Sequence, residues 1–81
     1  MPSGVPVDVQ NCSPSARLVY LLLDAEGALA QQTIRSLTGL SEDTARRALG
    51  ELEDADAVLE RPDPADGRRR KYVLARALEV A

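Results

Sequence analysis

A run of four basic residues is the stretch of this sequence best suited to bind a ligand. It follows an Asp-Gly pair, which predicts a tight turn, so the cations are expected at the tip of a hairpin. Residues 61–76 hold six basic and two acidic residues, although the net charge of the chain is −3. Neighbouring cations repel one another, so a polyanion ligand explains the run better than the ordinary alternative of a solvated charged surface. The run consists of Arg68, Arg69, Arg70 and Lys71.

A second group of polar residues lies at the start of a predicted helix. Ser41 is suited to cap this helix, and Thr44, Arg46 and Arg47 follow on or near its exposed side. Arginine side chains bind phosphates or read guanine through two hydrogen bonds. These four residues are therefore candidate contacts with the major groove of DNA.

The same arginines also fit a purely structural role. Glu42 precedes Arg46, and Asp43 precedes Arg47, by four residues. This is the spacing and orientation of ordinary intrahelical ion pairs. Two acids at the tip of the helix would also repel phosphates. The sequence leaves both interpretations of these arginines open.

No group of residues in the sequence predicts catalysis. The chain has no His and one Cys, which removes an imidazole base, internal disulfides and metal clusters built on Cys or His. It has no nucleophile motif and no phosphate-binding glycine loop, and the acids at 51–56 lack the spacing of a calcium loop. We therefore predict a protein that is not an enzyme and that uses no cofactor and no metal.

Length and composition limit the organisation of the chain. Its 81 residues have room for one domain, and no apolar run approaches the ~20 residues that span a membrane. We predict a flexible N-terminal arm over residues 1–12, a domain over 13–76 and a tail over 77–81, in a cytoplasmic protein. Alternating valines in the arm also permit an edge strand. The preference for Arg over Lys and the many acids predict a halophilic source, with ordinary GC bias as the alternative.

The first predicted helix begins at Ser13, with Pro14 at its first position, and ends at Gly27. Further apolar residues beside its main stripe widen the apolar surface. This surplus predicts either a homodimer contact through the helix and the arm or burial under the arm. The main stripe, which is expected to face the core, comprises Leu18, Leu21, Leu22 and Ala25.

Two further helices joined by a glycine turn organise the rest of the sequence. A helix over residues 31–38, with Ile34 and Leu37 inward, ends at Gly39, which can adopt the left-handed conformation. A second helix follows from Glu42 to about Ala55, and its apolar stripe is expected to pack on the two preceding helices. This succession is the sequence pattern of a helix-turn-helix.

A hairpin is predicted after these helices. One strand starts at Val58, the turn spans Pro62–Gly67, and the return strand spans Arg68–Leu74. Leu29 could pair with this hairpin as a minimal strand. Asp56, just before the first strand, occupies a position where a left-handed residue is common, and Asp adopts that conformation less readily than Gly.

Residues from about Ala16 to Leu74 resemble a winged helix-turn-helix domain, in particular that of MarR-type and related archaeal transcriptional regulators. The resemblance implies an α+β, mainly α, fold of three helices with a small β-hairpin wing. It also implies a regulator that binds double-stranded DNA sequence-specifically, with the recognition helix in the major groove and the wing on the backbone or minor groove. The segments that carry it are Leu40–Leu49, Leu52–Val58 and Asp63–Leu74.

The resemblance assigns groove contacts to the candidates on the helix and backbone or minor-groove contacts to the wing arginines, with Asp66 bracing those arginines. The sequence departs from the family at Asp56, where glycine is usual. The long terminal helices with which MarR-type proteins dimerise are absent from this sequence. A second function also fits: a winged-helix module that binds a basic protein partner without binding DNA. Its contact residues would be Glu51, Glu53 and Asp54.

Overall fold

Four α-helices precede a two-stranded antiparallel hairpin in the part of the chain that the structure describes. The computed structural model describes residues 7–78, and the side chains of residues 8–76. This architecture confirms the predicted mainly helical α+β fold with a hairpin wing, and it adds one short helix. The elements are α1 (Val7–Gln10), α2 (Pro14–Glu26), α3 (Gln31–Thr38), α4 (Glu42–Asp54), β1 (Val58–Asp63), β2 (Asp66–Leu74) and a final 3-10 turn (Ala75–Leu78).

The additional helix α1 lies in the segment predicted as a flexible arm or an edge strand, and the structure differs from both expectations there. Val9 is 0 % exposed and belongs to the same core as α2 and α4. The backbone N–H of Cys12 donates to the carbonyl of Val9 at 2.9 Å and turns the chain towards α2. Burial of an apolar side chain thus orders a segment with little helical periodicity of its own. Residues 1–6 and 79–81, which include parts of the predicted arm and tail, lie outside the described residues.

Helix α2 begins and ends at the predicted residues. The hydroxyl of Ser13 accepts the N–H of Ala16 at 3.2 Å, and Pro14 occupies the first helical position. Gly27 ends the helix with a φ of 86°, and its N–H donates to the carbonyl of Leu23 at 2.8 Å. The capping residues were therefore sufficient to locate both ends.

The face of α2 that is buried is not the predicted one. Leu18 and Leu21 are 44 % and 49 % exposed, Ala25 is exposed, and Leu22 is half-buried, so the predicted inward stripe is wrong. Both stripes have helical spacing, and periodicity alone cannot select between two apolar faces of one helix. The residues of α2 that enter the core are Ala16, Val19, Tyr20 and Leu23.

The helix-turn-helix is formed as predicted by α3, a glycine turn and α4. Gly39 has the left-handed φ of 78°, and its N–H donates to the carbonyl of Arg35 at 2.8 Å. Ile34 is buried as expected. Leu37 is 57 % exposed, so its predicted inward position is wrong, because Ile34 alone fills the core-facing stripe of this eight-residue helix.

Helix α4 packs more extensively on α2 than on any other helix. Its end is close to the predicted one, and Asp56 follows with a φ of 57°, the left-handed conformation proposed for it. Asp56 is the one non-glycine residue with a positive φ among those described. The residues of α4 that enter the core are Ala45, Ala48, Leu49 and Leu52.

The hairpin extends further than predicted, and its turn is shorter. The strands continue to Asp63 and Asp66, which confines the turn to residues 64–65. The Asp63 carboxylate accepts the N–H of Ala65 at 2.9 Å, and this bond reverses the chain before the Asp-Gly pair that was expected to do so. The register shifts just before Asp63, so residues 67–69 bulge out of the ladder.

The base of the hairpin is held by a third segment. Leu29 exchanges two backbone hydrogen bonds with Tyr72, at 3.0 and 2.8 Å, which confirms the predicted minimal strand. Leu74 is buried and Tyr72 packs against the core. The wing therefore projects from the domain with a fixed base, and its basic residues lie towards the free end.

Candidate nucleic-acid interface

Two of the candidate side chains order the N-terminus of α4. The hydroxyl of Ser41 accepts the N–H of Thr44 at 3.2 Å and donates to the hydroxyl of Thr44 at 2.9 Å. Ser41 is exposed, whereas Thr44 is half-buried. The two hydroxyl groups thus form a hydrogen bond with each other. The Ser41 hydroxyl also accepts a backbone N–H that has no partner within the helix. Of the four candidates on α4, these two have the clearest structural role.

The two candidate arginines of α4 form the ion pairs that their spacing allows. Nε of Arg47 lies 3.2 Å from Oδ2 of Asp43, and Nη2 of Arg46 lies 3.8 Å from Oε2 of Glu42. The arginine side chains are nevertheless 79 % and 66 % exposed. Such exposed pairs are worth roughly 0.2–0.5 kcal/mol each, so a phosphate could displace the carboxylates at small cost.

Asp66 organises the start of the basic run on the wing. Its Oδ1 accepts the N–H of Arg68 at 3.1 Å, and its Oδ2 lies 3.8 Å from Nε of Arg69. This is the bracing position that the family resemblance implied for Asp66. On the other strand, Oδ1 of Asp63 lies 4.0 Å from Nζ of Lys71, at the outer limit of an ion pair. Two of the four wing cations therefore have a carboxylate neighbour.

The other two wing cations have none. Among residues 8–76, no carboxylate lies within ion-pair distance of Arg68 or Arg70. Both side chains belong to exposed residues of β2. Among the described residues only solvent compensates the charge of these two side chains, so both are available to an external anion.

Strand pairing adds a cation that the sequence analysis did not include among the candidates. Arg61 of β1 lies directly opposite Lys71 of β2 in the ladder. Like charges that face each other across two strands destabilise a hairpin. Arg61 is exposed and forms no ion pair with any described residue. Only the register reveals this neighbour, because Arg61 is ten residues away from Lys71 in the sequence.

The two candidate groups are separate parts of the molecule. The helix set is Ser41 to Arg47 and the wing set is Arg68 to Lys71, and each makes its polar contacts within its own element. No hydrogen bond or ion pair between described residues joins the two sets. Any ligand that uses both must therefore be long enough to reach from a helix to a hairpin, as a nucleic-acid duplex is.

One acidic residue of α4, Glu51, is half-buried and hydrogen-bonded to a residue outside its own helix. Glu51 accepts the hydroxyl of Ser13 at 2.6 Å and the backbone N–H of Ser13 at 2.9 Å. These two bonds, the hydroxyl bond first, hold the pKa of the Glu51 carboxyl below its ordinary value. Glu51 therefore ties α4 to the start of α2, and it is removed from the set of free acids assigned above to a protein partner.

Glu53, on the same helix, has the opposite electrostatic environment. Burial raises its pKa, and the charges of Glu60 and Asp54 raise it further. Tyr72 lies in the same region, and its pKa is raised by burial, by the charge of Glu60 and by that of Glu53. Glu53 is thus a carboxylate among other carboxylates, whereas Glu51 has hydrogen-bond donors.

Other kinds of site find little support among the described residues. They contain no group of three or more His, Cys, Asp or Glu side chains arranged to hold a metal ion. None of the helices described has the length and apolar character needed to cross a membrane. Cys12 is a half-buried free thiol whose pKa is raised by burial and by the nearby charges of Glu51 and Asp8.

Comparisons with known proteins find relatives at the level of structure. No protein-family model matches the chain, and no curated protein sequence matches it. A probable transcriptional regulator from Pseudomonas aeruginosa superposes with a TM-score of 0.79 at 23 % identity, over 86 % of this chain and 53 % of that one. The PcaV transcriptional regulator from Streptomyces coelicolor, solved with its natural ligand, gives a TM-score of 0.73 at 28 % identity, over 80 % of this chain and 46 % of that one.

A third solved neighbour is bound to DNA. Reduced AbfR bound to DNA superposes with a TM-score of 0.69 at 26 % identity, over 80 % of this chain and 47 % of that one. The chain therefore spans about half the length of these solved neighbours. The protein has the winged-helix fold of MarR-family transcriptional regulators.

Proposed function

We propose that the protein binds double-stranded DNA sequence-specifically and acts as a transcriptional regulator, without catalysis and in the cytoplasm. The observation that carries this proposal is the pair of exposed wing arginines, Arg68 and Arg70, without a carboxylate partner among residues 8–76. The net charge of the chain is −3, and yet these cations share the wing with Arg61 and Lys71, which face each other across the two strands. A phosphate backbone would relieve the repulsion among them. The halophilic source predicted from composition and the archaeal origin implied by the family resemblance both stay predictions.

The two candidate sets then have different tasks. The N-terminal part of α4 enters the major groove, where Arg46 and Arg47 exchange their carboxylate partners for phosphate or guanine. The wing lies along the flanking backbone or in the minor groove. The negative electrostatic potential of a narrow minor groove favours a bound arginine. The residues proposed to contact DNA are Ser41, Thr44, Arg46, Arg47, Arg68, Arg69, Arg70 and Lys71.

The alternative function, binding of a basic protein partner through α4, has less support. It required Glu51, Glu53 and Asp54 as a free acidic face. Glu51 is bonded to Ser13, which leaves two of the three acids available. Substitution of Glu53 and Asp54 would abolish this alternative interaction and leave DNA binding intact.

The test is an NMR titration of the labelled protein with a mixed-sequence DNA duplex at low and high salt. We expect chemical-shift changes in residues 41–47 and 67–71 that diminish as salt rises, because counterion release drives phosphate binding. The variant Arg70→Gln is expected to lose most of the wing response. The matched control is Arg76→Gln, which removes the same charge from an arginine already paired with Asp24.

Either of two outcomes would contradict the proposal. One is the absence of shifts in both segments at low salt. The other is an equal loss of binding in Arg70→Gln and Arg76→Gln, which would show that only net charge matters. If neither outcome is observed and binding to the mixed-sequence duplex is established, the next step is a search for a specific operator sequence.

A further inference from the structure

One arginine outside the two candidate sets has no partner for its side chain. Arg35, in the last turn of α3, is half-buried, and its Nε atom is buried. No described residue accepts a hydrogen bond from this Nε, and none forms an ion pair with the guanidinium group. Among residues 8–76 it is the one buried polar side-chain atom without a hydrogen bond. A buried donor without an acceptor raises the free energy of the folded state, so packing alone does not explain the position of Arg35.

Arg35 lines a pocket whose other described residues are uncharged. The pocket has a volume of about 290 Å³ and is formed by α3 and the turn that follows it. Gln32 and Ser36, both exposed, lie one turn apart on the same face of α3 and supply an amide and a hydroxyl group. Gly39 and Leu40 complete the described lining. A Cβ atom at Gly39 would meet no other atom within 4 Å, so the pocket is open at that position.

The charge around the pocket favours an anion. Residues 27–41 contain one charged residue, Arg35, although 28 % of the whole chain is charged. The next acids along the chain, Glu42 and Asp43, already lie near arginines of their own helix. Guanidinium, amide and hydroxyl groups are side-chain donors that bind phosphate, and an arginine can hold one phosphate through two parallel N–H bonds. The pocket therefore has the chemistry of a phosphate site.

The ordinary role of an arginine at this position does not account for its burial. A cation in the last turn of a helix interacts favourably with the helix dipole, and Arg35 is the basic residue in the last turn of α3. That interaction requires neither the burial of Nε nor a pocket lined with further hydrogen-bond donors. It would also be satisfied by lysine, which provides a conservative variant for the test.

The position of the pocket indicates the source of the phosphate. Leu40 is followed directly by Ser41, the N-cap of α4. The pocket thus lies beside the end of α4 that the proposed function places in the major groove. The phosphate backbones form the edges of that groove. A helix inserted by its N-terminus therefore brings the residues just before its first turn close to those phosphates.

We propose that Arg35 binds a phosphate of the DNA backbone at the edge of the major groove, with Gln32 and Ser36 as neighbouring donors. A rotation at the end of the Arg35 side chain brings Nε–H and one Nη–H to the same phosphate group. This contact anchors α3 to one DNA strand and fixes the register of α4, and it does not read bases. The inference rests on the proposed function and adds a third group of contacts to those of α4 and the wing.

The first test follows the side-chain Nε–H signal of Arg35 by NMR in the full chain, with ¹⁵N-labelled arginine. The variant Arg35→Lys assigns this signal, because it removes that one resonance. A mixed-sequence duplex at low salt should shift the signal and slow its exchange with water, since a phosphate oxygen then accepts the N–H. The matched control is the Nε–H of Arg17, an exposed arginine of α2 without an ion pair among the described residues, which should not change.

A parallel titration with inorganic phosphate separates two sources of the same ligand. A response of the Arg35 signal that saturates with duplex supports the DNA contact, with or without a weaker response to inorganic phosphate. Saturation by inorganic phosphate without any response to duplex would assign the pocket to a small phosphorylated ligand. That result would overturn the DNA contact.

The second test measures duplex affinity by fluorescence anisotropy over a series of salt concentrations. In Arg35→Gln the slope of log affinity against log salt should fall in magnitude by about 0.9, because one phosphate contact is lost. The loss should be equal for duplexes of different sequence, and Arg35→Lys should keep most of the slope because its charge remains. The matched control Arg17→Gln should keep the wild-type slope. Circular dichroism melting of each variant checks that it remains folded.

The outcomes separate this contact from the proposed function. If the wild type shows a slope that depends on Arg68 and Arg70, and Arg35→Gln keeps the wild-type slope, the Arg35 contact is overturned and the proposed function stands. If Arg35→Gln and Arg17→Gln reduce the slope equally, only net charge matters and the contact is again overturned. If the wild type binds no duplex at low salt, the contact and the proposed function both fail.

Discussion

The arginines of α4 and those of the wing have similar exposure and different partners. Arg46 and Arg47 are each paired with an acid one turn earlier on the same helix. Arg68 and Arg70 have no carboxylate within ion-pair distance among residues 8–76. An arginine on α4 would have to exchange one anion for another in order to bind phosphate, whereas Arg68 or Arg70 would gain its first anionic partner. Under the proposed function, we expect the wing to supply affinity and α4 to supply selection between sequences.

The largest effect is expected when the unpaired wing cations are removed. In the double variant Arg68→Gln, Arg70→Gln, the slope of log affinity against log salt should fall in magnitude by roughly 2, since each phosphate contact contributes about 0.9. Fluorescence anisotropy of a labelled duplex over a series of salt concentrations measures this slope. If the double variant Arg46→Gln, Arg47→Gln changed the slope as much as the wing variant does, the proposed difference between wing and α4 arginines would be contradicted.

A smaller effect is expected when the acids of α4 are neutralised. The variant Glu42→Gln, Asp43→Asn frees both arginines and removes two charges that repel phosphate. We expect tighter DNA binding, by roughly 0.2–0.5 kcal/mol per released pair. The helix itself should lose about 0.3–1 kcal/mol per acid, because negative charge at an N-terminus stabilises it. Anisotropy and thermal melting measure the two opposite changes, and unchanged or weaker binding would contradict the assignment of these arginines to DNA.

The smallest effect on DNA contacts is expected from Glu51, because its substitution changes the stability of the domain and leaves the candidate contact residues in place. Glu51→Gln should lower the stability at neutral pH by about 1 kcal/mol, as loss of a helix cap does. The folded-state pKa of Glu51 is depressed, so its stabilisation is present above the unfolded value of 4.5 and is lost as pH falls through the folded value. Urea unfolding between pH 7 and pH 3 should therefore show less acid destabilisation in the variant than in the wild type.

A neighbouring glutamate is the control for this pH dependence. The folded pKa of Glu53 is raised, chiefly by burial, so its charged form opposes folding at neutral pH. Glu53→Gln should leave stability at pH 7 unchanged or slightly higher, and it should steepen the loss in acid. Equal curves for the two variants would show that Glu51 has no special role in holding α4.

The sequence predicted most of the fold because local signals agree with it. Ser13, Pro14 and Gly27 mark both ends of α2, and Gly39 and Ser41 mark the end of α3 and the start of α4. The ion pairs of α4 were predictable for the same reason, since their partners are four residues apart. Such features depend on neighbours in sequence and need no knowledge of the tertiary structure.

The errors concern contacts between distant residues. The buried face of α2 could not be chosen from periodicity, because Leu18 and Val19 belong to two apolar stripes of equal spacing. Helix α1 is ordered by burial of Val9, and the opposition of Arg61 and Lys71 exists only in the strand register. The candidate contacts with DNA remain predictions, since the fold positions them without testing them.

The pairing of Leu29 with Tyr72 has a consequence for how the wing responds to a ligand. It adds one bridged residue to the base of the two-stranded hairpin, whereas the ladder is interrupted near the tip by the bulge over residues 67–69. The bulge leaves Arg68 and Arg69 outside the ladder, whereas Arg70 and Lys71 remain paired within it. We therefore expect the unpaired part of the tip, rather than the paired base, to adjust when a ligand binds.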